Sequence, residues 1–290
     1  MRIGLSRRGA STLIARSLVG ALIAATPATA LAAAQERYYE RSFVLAADQR
    51  CGLFDTQLSA ALTAAAGQAR GAALRAGTSA RELAETARRA RARAATTPCD
   101  SGELKTVGGR VETAFSGWSR TARMTFPGER SDWIANRAVH ARPTWRLVQD
   151  SAVGASPIRL GVVGGMDRPD VMAAVVSWHG RPRPTGARIV LRDVSVAPQP
   201  WLARELPPQA QRRAIWSSGV SAAEPGLLPA QRDAGQAWRF PAVAAEAMAR
   251  LDPREAVAVE FVFRDGSVAR STFEAGDFAA GRAFLAMGPA

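Results

Sequence analysis

The sequence predicts an α+β protein: an N-terminal disulfide-clamped helical bundle, then a mainly β, sandwich-like region that ends in a C-terminal helix. Three observations predict it. Helix signatures crowd the chain up to about Arg123. The only two cysteines, Cys51 and Cys99, bracket the plainest of them. Beyond Pro143 the pattern changes to short valine-rich runs bounded by Gly, Pro or Asp, which read as strands. The expected division is a signal segment over residues 1–34, a helical region over 35–142 and a β region over 143–290.

The first 34 residues read as an export signal. Arg2, Arg7 and Arg8 form a basic start, Ser17 to Ala25 an apolar core, and Ala30-Leu31-Ala32 and Ala32-Ala33-Ala34 two A-x-A cleavage sites. Thr26, Pro27 and Thr29 interrupt the apolar run well short of the ~20 residues of a membrane span. The expected address is periplasmic or secreted, with no transmembrane span after signal removal. There a lone cysteine pair is expected to be oxidised.

Gln35 to Arg50 reads as a first helix, with Tyr39, Phe43, Ala46 and Ala47 on one side. A second follows Asp55, an N-cap residue, with Leu58, Leu62, Ala65, Ala69 and Ala73 at helical spacing and Gly77 at the C-cap. Gly67 and Gly71, four apart, predict close helix packing. Ser79-Ala80-Arg81-Glu82 is a capping box that opens a third helix, and Pro98 ends it. These two helices are expected to form a hairpin whose base Cys51–Cys99 closes. The loop of about 49 residues is worth roughly 4 kcal/mol in the chain-entropy model. Asp100-Ser101-Gly102-Glu103 reads as a second capping box, opening a helix that carries Leu104, Val107, Val111, Phe115, Trp118 and Ala122. Ser131 to Arg142 is expected to be a short helix or an extended linker.

Strands are expected over 144–149, 157–163, 171–178, 187–193, 213–217 and 236–240. Four prolines make Pro198 to Pro208 a loop. Pro241 to Leu251 reads as a helix. Asp265-Gly266 predicts a hairpin between 256–264 and 267–274, and Asp277 is expected to cap a last helix.

That closing stretch, roughly Phe240 to Leu285, resembles the end of the invasion-associated locus B family of secreted bacterial proteins. The matching features are Met248 to Leu251, the hairpin at Asp265-Gly266, then Gly276-Asp277-Phe278 and Ala283-Phe284-Leu285. Asp277 splits the family's Gly-Phe pair, and that family's sandwich cysteines have no counterpart here. The resemblance implies a β-sandwich-like domain outside the cytoplasm. It carries over no catalytic residue.

The chemistry legible in the residues is sparse. His140 and His179 are the only histidines, and no HExxH, CxxC or GxSxG spacing occurs. No catalytic residue, metal ligand or cofactor is therefore assigned. Ser177, His179 and Asp193 form a triad on paper only, because triads are defined by geometry. Gly161-Val162-Val163-Gly164-Gly165 lacks dinucleotide-loop spacing and reads as a turn or bulge. Trp178, Trp201, Trp216 and Trp238 are candidates for sugar stacking or for the core.

The formal charge is +13; four arginines and no acid lie in the first 34 residues, so the rest carries +9. Arg88, Arg89, Arg91 and Arg93 form a basic run on the third helix, which reads either as a solvated face or, through Arg88, Arg91 and Arg93, as the candidate polyanion-binding face. The expected partners are an anionic envelope polymer or lipid headgroups. Nucleic acid is not expected, since no aromatic residues interleave the arginines. The expected function is a non-enzymatic binding or structural role at the cell envelope. The alternative is a hydrolase acting on cell-wall polymers, for which a cleft with two facing carboxylates would speak.

Overall fold

A computed structural model describes residues 27–166, 168–180 and 183–290. The basic start and apolar core of the signal reading lie outside the described residues. The cleavage run at Ala30 to Ala34 falls inside α1 (Pro27–Cys51). This helix starts earlier than expected, because the alanine-rich run after Pro27 is itself a strong helix former. Three more helices follow: α2 (Thr56–Arg75), α3 (Ala80–Thr96) and α4 (Gly102–Phe115).

Local signals fix most of these ends. Asp55 Oδ1 accepts from Leu58 N at 2.7 Å, and Ser79 and Glu82 complete the capping box of α3. At the end of α2, Gly77 takes φ +105°, and Thr78 N and Gly77 N reach the carbonyls of Ala73 and Leu74. That is a Schellman stop, and the left-handed residue needs glycine. The second capping box does not form, because the N-cap is Ser101, one residue later than the Asp100-to-Glu103 spacing needs. Ser101 caps α4, while Glu103 turns away to Arg93 at 2.5 Å.

The packing of α2 and α3 differs from the expected hairpin. Both helices pack along α1, which lies between them. Phe43, Val44 and Ala47 of α1 fill the space among Leu62, Ala90, Ala94 and Leu104. The reason is visible in α2, whose buried residues surround almost its whole circumference. A helix apolar on all sides needs more than one neighbour.

The cysteine pair forms as expected, with Cα atoms 5.6 Å apart. It joins the end of α1 to the segment after α3. Arg50 Nη2 donates to the Thr97 carbonyl beside it. Reduction or Cys51→Ser is expected to destabilise the protein by about 2–4 kcal/mol in urea titrations. An unchanged midpoint would show the bond to be energetically idle.

α4 stops at Phe115, short of the expected Arg123, where Ser116 and Gly117 break it. A 3₁₀ turn over Trp118–Arg120 follows. The next two elements are strands, β1 (Arg123–Phe126) and β2 (Trp133–Asn136), where helix or linker was expected. They are only four residues long. Their period-two burial, with Phe126, Trp133 and Ala135 fully covered, decides their conformation.

The remaining strands are β3 (Thr144–Val153), β4 (Ser156–Gly165), β5 (Arg168–Val176), β6 (Gly186–Arg192), β7 (Arg212–Trp216), β8 (Gly219–Ala222), β9 (Gln236–Phe240), β10 (Ala256–Val262) and β11 (Val268–Glu274). Helix α5 (Ala242–Ala249) precedes β10, and α6 (Phe278–Leu285) follows β11. A seven-stranded antiparallel sheet runs β1-β2-β3-β4-β5-β9-β8, and a four-stranded one runs β11-β10-β6-β7. Leu160, Met172, Ala174 and Trp238 of the first sheet face Ile189, Leu191, Val259 and Phe261 of the second in one core. Serines join the sheets at one corner, where Ser151 Oγ donates to Thr272 O and Ser271 Oγ to Ala152 O.

Helix α6 ties the two halves of the chain together. Phe278 and Phe284 pack on Trp133 and Phe126, while Ala280 faces α2. A Cβ on Gly67 would come within 2.9 Å of Ala280 Cβ, and one on Gly71 would overlap the Asp277 carboxylate. The two glycines thus permit close packing, against α6. Asp277 occupies the N-cap position but makes no side-chain cap bond. Its carboxylate instead meets Arg75 in a two-point pair at 3.0 and 2.9 Å. Burial pushes this carboxyl above its ordinary range against the pull of Arg75.

Candidate functional site

The paper triad is not assembled. Ser177 is buried and its Oγ donates to the Ala234 carbonyl at 2.7 Å. Asp193 accepts from Ser195 N and Oγ, and His179 is exposed. The glycine stretch at 161–165 forms the end of β4 and contains a register shift between Val163 and Gly165. Among the described residues no group of three or more His, Cys, Asp or Glu could hold a metal ion. No described helix is long and apolar enough to cross a membrane.

The three arginines of the predicted basic face do not converge. Arg88 lies 3.8 Å from Glu85 on its own helix. Arg93 pairs with Glu103 and sits 5.3 Å from the Phe43 ring, so it ties α3 to α4 and α1. Hydrogen bonding with Tyr39 and the charge of Glu103 raise its pKa. Arg91 alone lines a cavity, a groove of about 310 Å³ among α1, α2, α3 and α6.

Arg70 lies at the other side of that groove and leads to a larger one. It lines the 310 Å³ groove, a cavity of about 280 Å³ beside α6, and a cleft of about 960 Å³. The wide cleft lies between the first turn of α3 and the proline loop, where Pro198, Pro200 and Leu202 form one wall. Five arginines line it: Arg70, Arg81, Arg192, Arg250 and Arg254. Asp252 is the single carboxylate among the lining residues.

The charges are not balanced locally. Asp252 is buried and engaged by Arg254 at 2.9 and 3.1 Å, an arrangement that raises the Arg254 pKa. Arg192 is spent on Glu255. Arg70, Arg81 and Arg250 make no ion pair among the described residues. They come from α2, α3 and the end of α5, so the fold alone brings them together. The positive end of the α3 dipole adds to the same field. An anion in this cleft would meet three guanidinium groups with free donors in a partly enclosed space, where charge interactions are stronger than in open water.

A second groove lies elsewhere, among β5, α5 and α6. Its volume is about 380 Å³, its floor Val162, Met172, Phe240 and Leu285, its rim Asp170, Glu246 and Arg282. Burial pushes the Asp170 carboxyl up, against Arg146 and Arg282. Asp170 Oδ1 lies over Gly164, where any side chain would collide with it.

No family model, curated protein or solved structure matches this chain. The site residues must be judged on their own geometry.

The sequence held one unused signal for the cleft. Arg70 and Arg75 are the only charged residues in α2, a helix otherwise built for burial. Arg75 is explained by Asp277. Arg70 makes no ion pair among the described residues; its charge also acts on Asp277, and it lines the cleft. Arg81 and Arg250 carry no comparable mark, since each reads as an ordinary surface arginine.

Proposed function

We propose that the protein binds an anionic polymer or anionic headgroups at the cell envelope, without catalysing a reaction, through the Arg70–Arg81–Arg250 cleft. One observation carries the reading: three arginines from separate elements, none in an ion pair among the described residues, line one cleft of about 960 Å³. Arg91 extends it along the adjoining groove, which suits an extended ligand better than a compact ion. The export signal read at the N-terminus and the resemblance of the closing segment support an envelope address.

The test is binding of phosphatidylglycerol vesicles and of soluble polyphosphate to the exported chain. Both should weaken steeply with salt. Three charge contacts at roughly 0.5 kcal/mol each amount to about a tenfold loss in R70Q/R81Q/R250Q. Binding to vesicles alone would assign a headgroup, and binding to both a polymer. Unchanged affinity in the triple variant would overturn the cleft as the site.

The hydrolase reading keeps one supporting observation, the groove with Asp170 and Glu246 on its rim. A carboxyl raised by burial suits a general acid, and Glu246 places a second carboxylate on the same rim. Release of reducing ends from cell-wall glycan, abolished in D170N and E246Q, would establish it in place of the binding role.

A further inference from the structure

We propose that Trp216 is a stacking platform for a pyranose ring of a polysaccharide. This goes beyond the anionic cleft and uses none of the three arginines assigned to it. Trp216 is 51% exposed, whereas Trp133, Trp145 and Trp238 are at most 7% exposed. It ends β7, an edge strand of the small sheet. A large apolar ring left in water loses the stabilisation of burial, so its setting matters.

The setting is built and rigid. One row of residues crosses the small sheet in register: Arg270, Glu260, Arg188 and Trp216. Glu260 is 2% exposed, and it accepts from Arg188 Nε at 2.7 Å and from Arg270 Nε at 2.8 Å. Burial pushes its carboxyl up, but the two guanidinium groups outweigh this and hold it below its ordinary range. Glu260 therefore fixes Arg188, whose Cζ sits 5.2 Å from the Trp216 ring centre, within cation–π range. On the neighbouring position of β6 stands Gly186, where a Cβ would lie 3.2 Å from Trp216 Cζ3. The missing side chain lets the indole lean onto the strand. The ring is thus supported from below by a glycine and an arginine and left uncovered on the rest of its surface.

The surroundings select the occupant. The row beside the indole is charged, with the partly exposed Arg188 and Arg270 offering donors at the rim and Glu260 buried beneath them. An apolar protein partner would leave those groups desolvated at a cost. A sugar ring presents C–H groups on one face, which pack on a flat aromatic, and hydroxyls around its edge, which accept from a guanidinium rim.

The experiment is calorimetry and tryptophan emission with the exported chain and three probes: chitohexaose N-acetylated throughout, cellohexaose and sodium alginate. At least one probe should bind, with a change in emission. W216A should weaken it by about tenfold or more, while W216F retains it within a few-fold. Because the ring is half exposed, W216A should keep the wild-type melting temperature, which separates lost binding from lost folding. R70Q/R81Q/R250Q should leave binding of the two neutral probes unchanged, so this site and the cleft fail independently. No binding of any probe at about 10 mM, a bound weaker than the millimolar range, would overturn the proposal. So would binding that W216A does not alter.

Discussion

Arg137→Met is expected to lower the stability of the protein by about 3–5 kcal/mol, the cost of emptying a buried, fully bonded polar site. Arg137 is 0% exposed and has no carboxylate partner among the described residues. Its guanidinium instead donates to four carbonyls: Gly288 at 2.6 Å, Trp118 at 2.8 Å, Pro289 at 3.1 Å and Thr121 at 3.3 Å. The Gly288 and Pro289 carbonyls follow the C-terminal end of α6, where a cation is favoured. The Phe284 ring lies 5.1 Å from Arg137 Cζ. Burial lowers the pKa of the guanidinium, with Arg146 adding to the effect, yet an arginine stays charged at neutral pH.

Methionine fills much of the volume but donates nothing. The Trp118 carbonyl keeps Thr121 N as a donor, but the other three lose theirs, and each buried one left unpaired costs roughly 1–3 kcal/mol before water enters. Urea titration reads the loss as a lower midpoint with the slope unchanged. Arg137→Lys should fall between, since one ammonium cannot reach four carbonyls set around a plane. Deleting Gly288 to Ala290 should give a loss that adds only in part to that of Arg137→Met, because two of the four bonds are common to both. A midpoint within error of wild type would mean that the C-terminal carbonyls find water as readily as they find Arg137.

What was legible in the sequence divides along physical lines. Elements announced by local chemistry were readable: the Ser79–Glu82 box, the stop at Gly77, the turn at Asp265-Gly266 and the cysteine pair. Gly266 takes φ +81° there, as the turn requires. Elements decided by distant packing were not. Strands β1 and β2 are short, and their alternation becomes evident only once α6 covers Phe126 and Trp133. β8 is mostly exposed and pairs only with β9, so no apolar pattern marks it. The insertion of α1 between α2 and α3 was hidden for a related reason. An alanine-rich helix shows that it is buried on all sides, but not by what.

The candidate site was harder to read than the fold. A run such as Arg88, Arg91 and Arg93 draws the eye because it is contiguous, yet helical geometry spreads it and neighbouring acids take up two of its members. Arg70, Arg81 and Arg250 are separated by 11 and 169 positions, and only the docking of α2 against α6, which also packs on α5, makes them neighbours. Trp216 is the same case. Its meaning lies in Gly186 and Arg188, which sheet pairing supplies.

Glu255→Ala is expected to cost as much as the loss of Arg137, about 3–5 kcal/mol, and for the opposite reason. Here the charge stays and its partner goes. Arg192 and Glu255 are 3% and 2% exposed and meet in a two-point pair at 2.6 and 2.7 Å. Glu255 Oε1 also accepts from Asp252 N at 2.8 Å, and Arg192 Nη1 donates to the Ala197 carbonyl. The pair therefore holds the end of β6, the turn before β10 and the root of the proline loop. Truncating Glu255 leaves a nearly buried guanidinium at the cleft wall with one carbonyl for company. Replacing both partners, as Arg192→Met with Glu255→Leu, removes the stranded charge and should recover most of the loss. A cycle of the four proteins in urea should give a coupling of about 2–3 kcal/mol. The same variants separate stability from binding, because Arg192 lines the arginine cleft. In Glu255→Ala it loses its carboxylate and adds a free charge there, so polyphosphate affinity at low salt should hold or rise while the urea midpoint falls. If affinity falls with stability, the cleft depends on the shape that this pair maintains more than on the number of its charges.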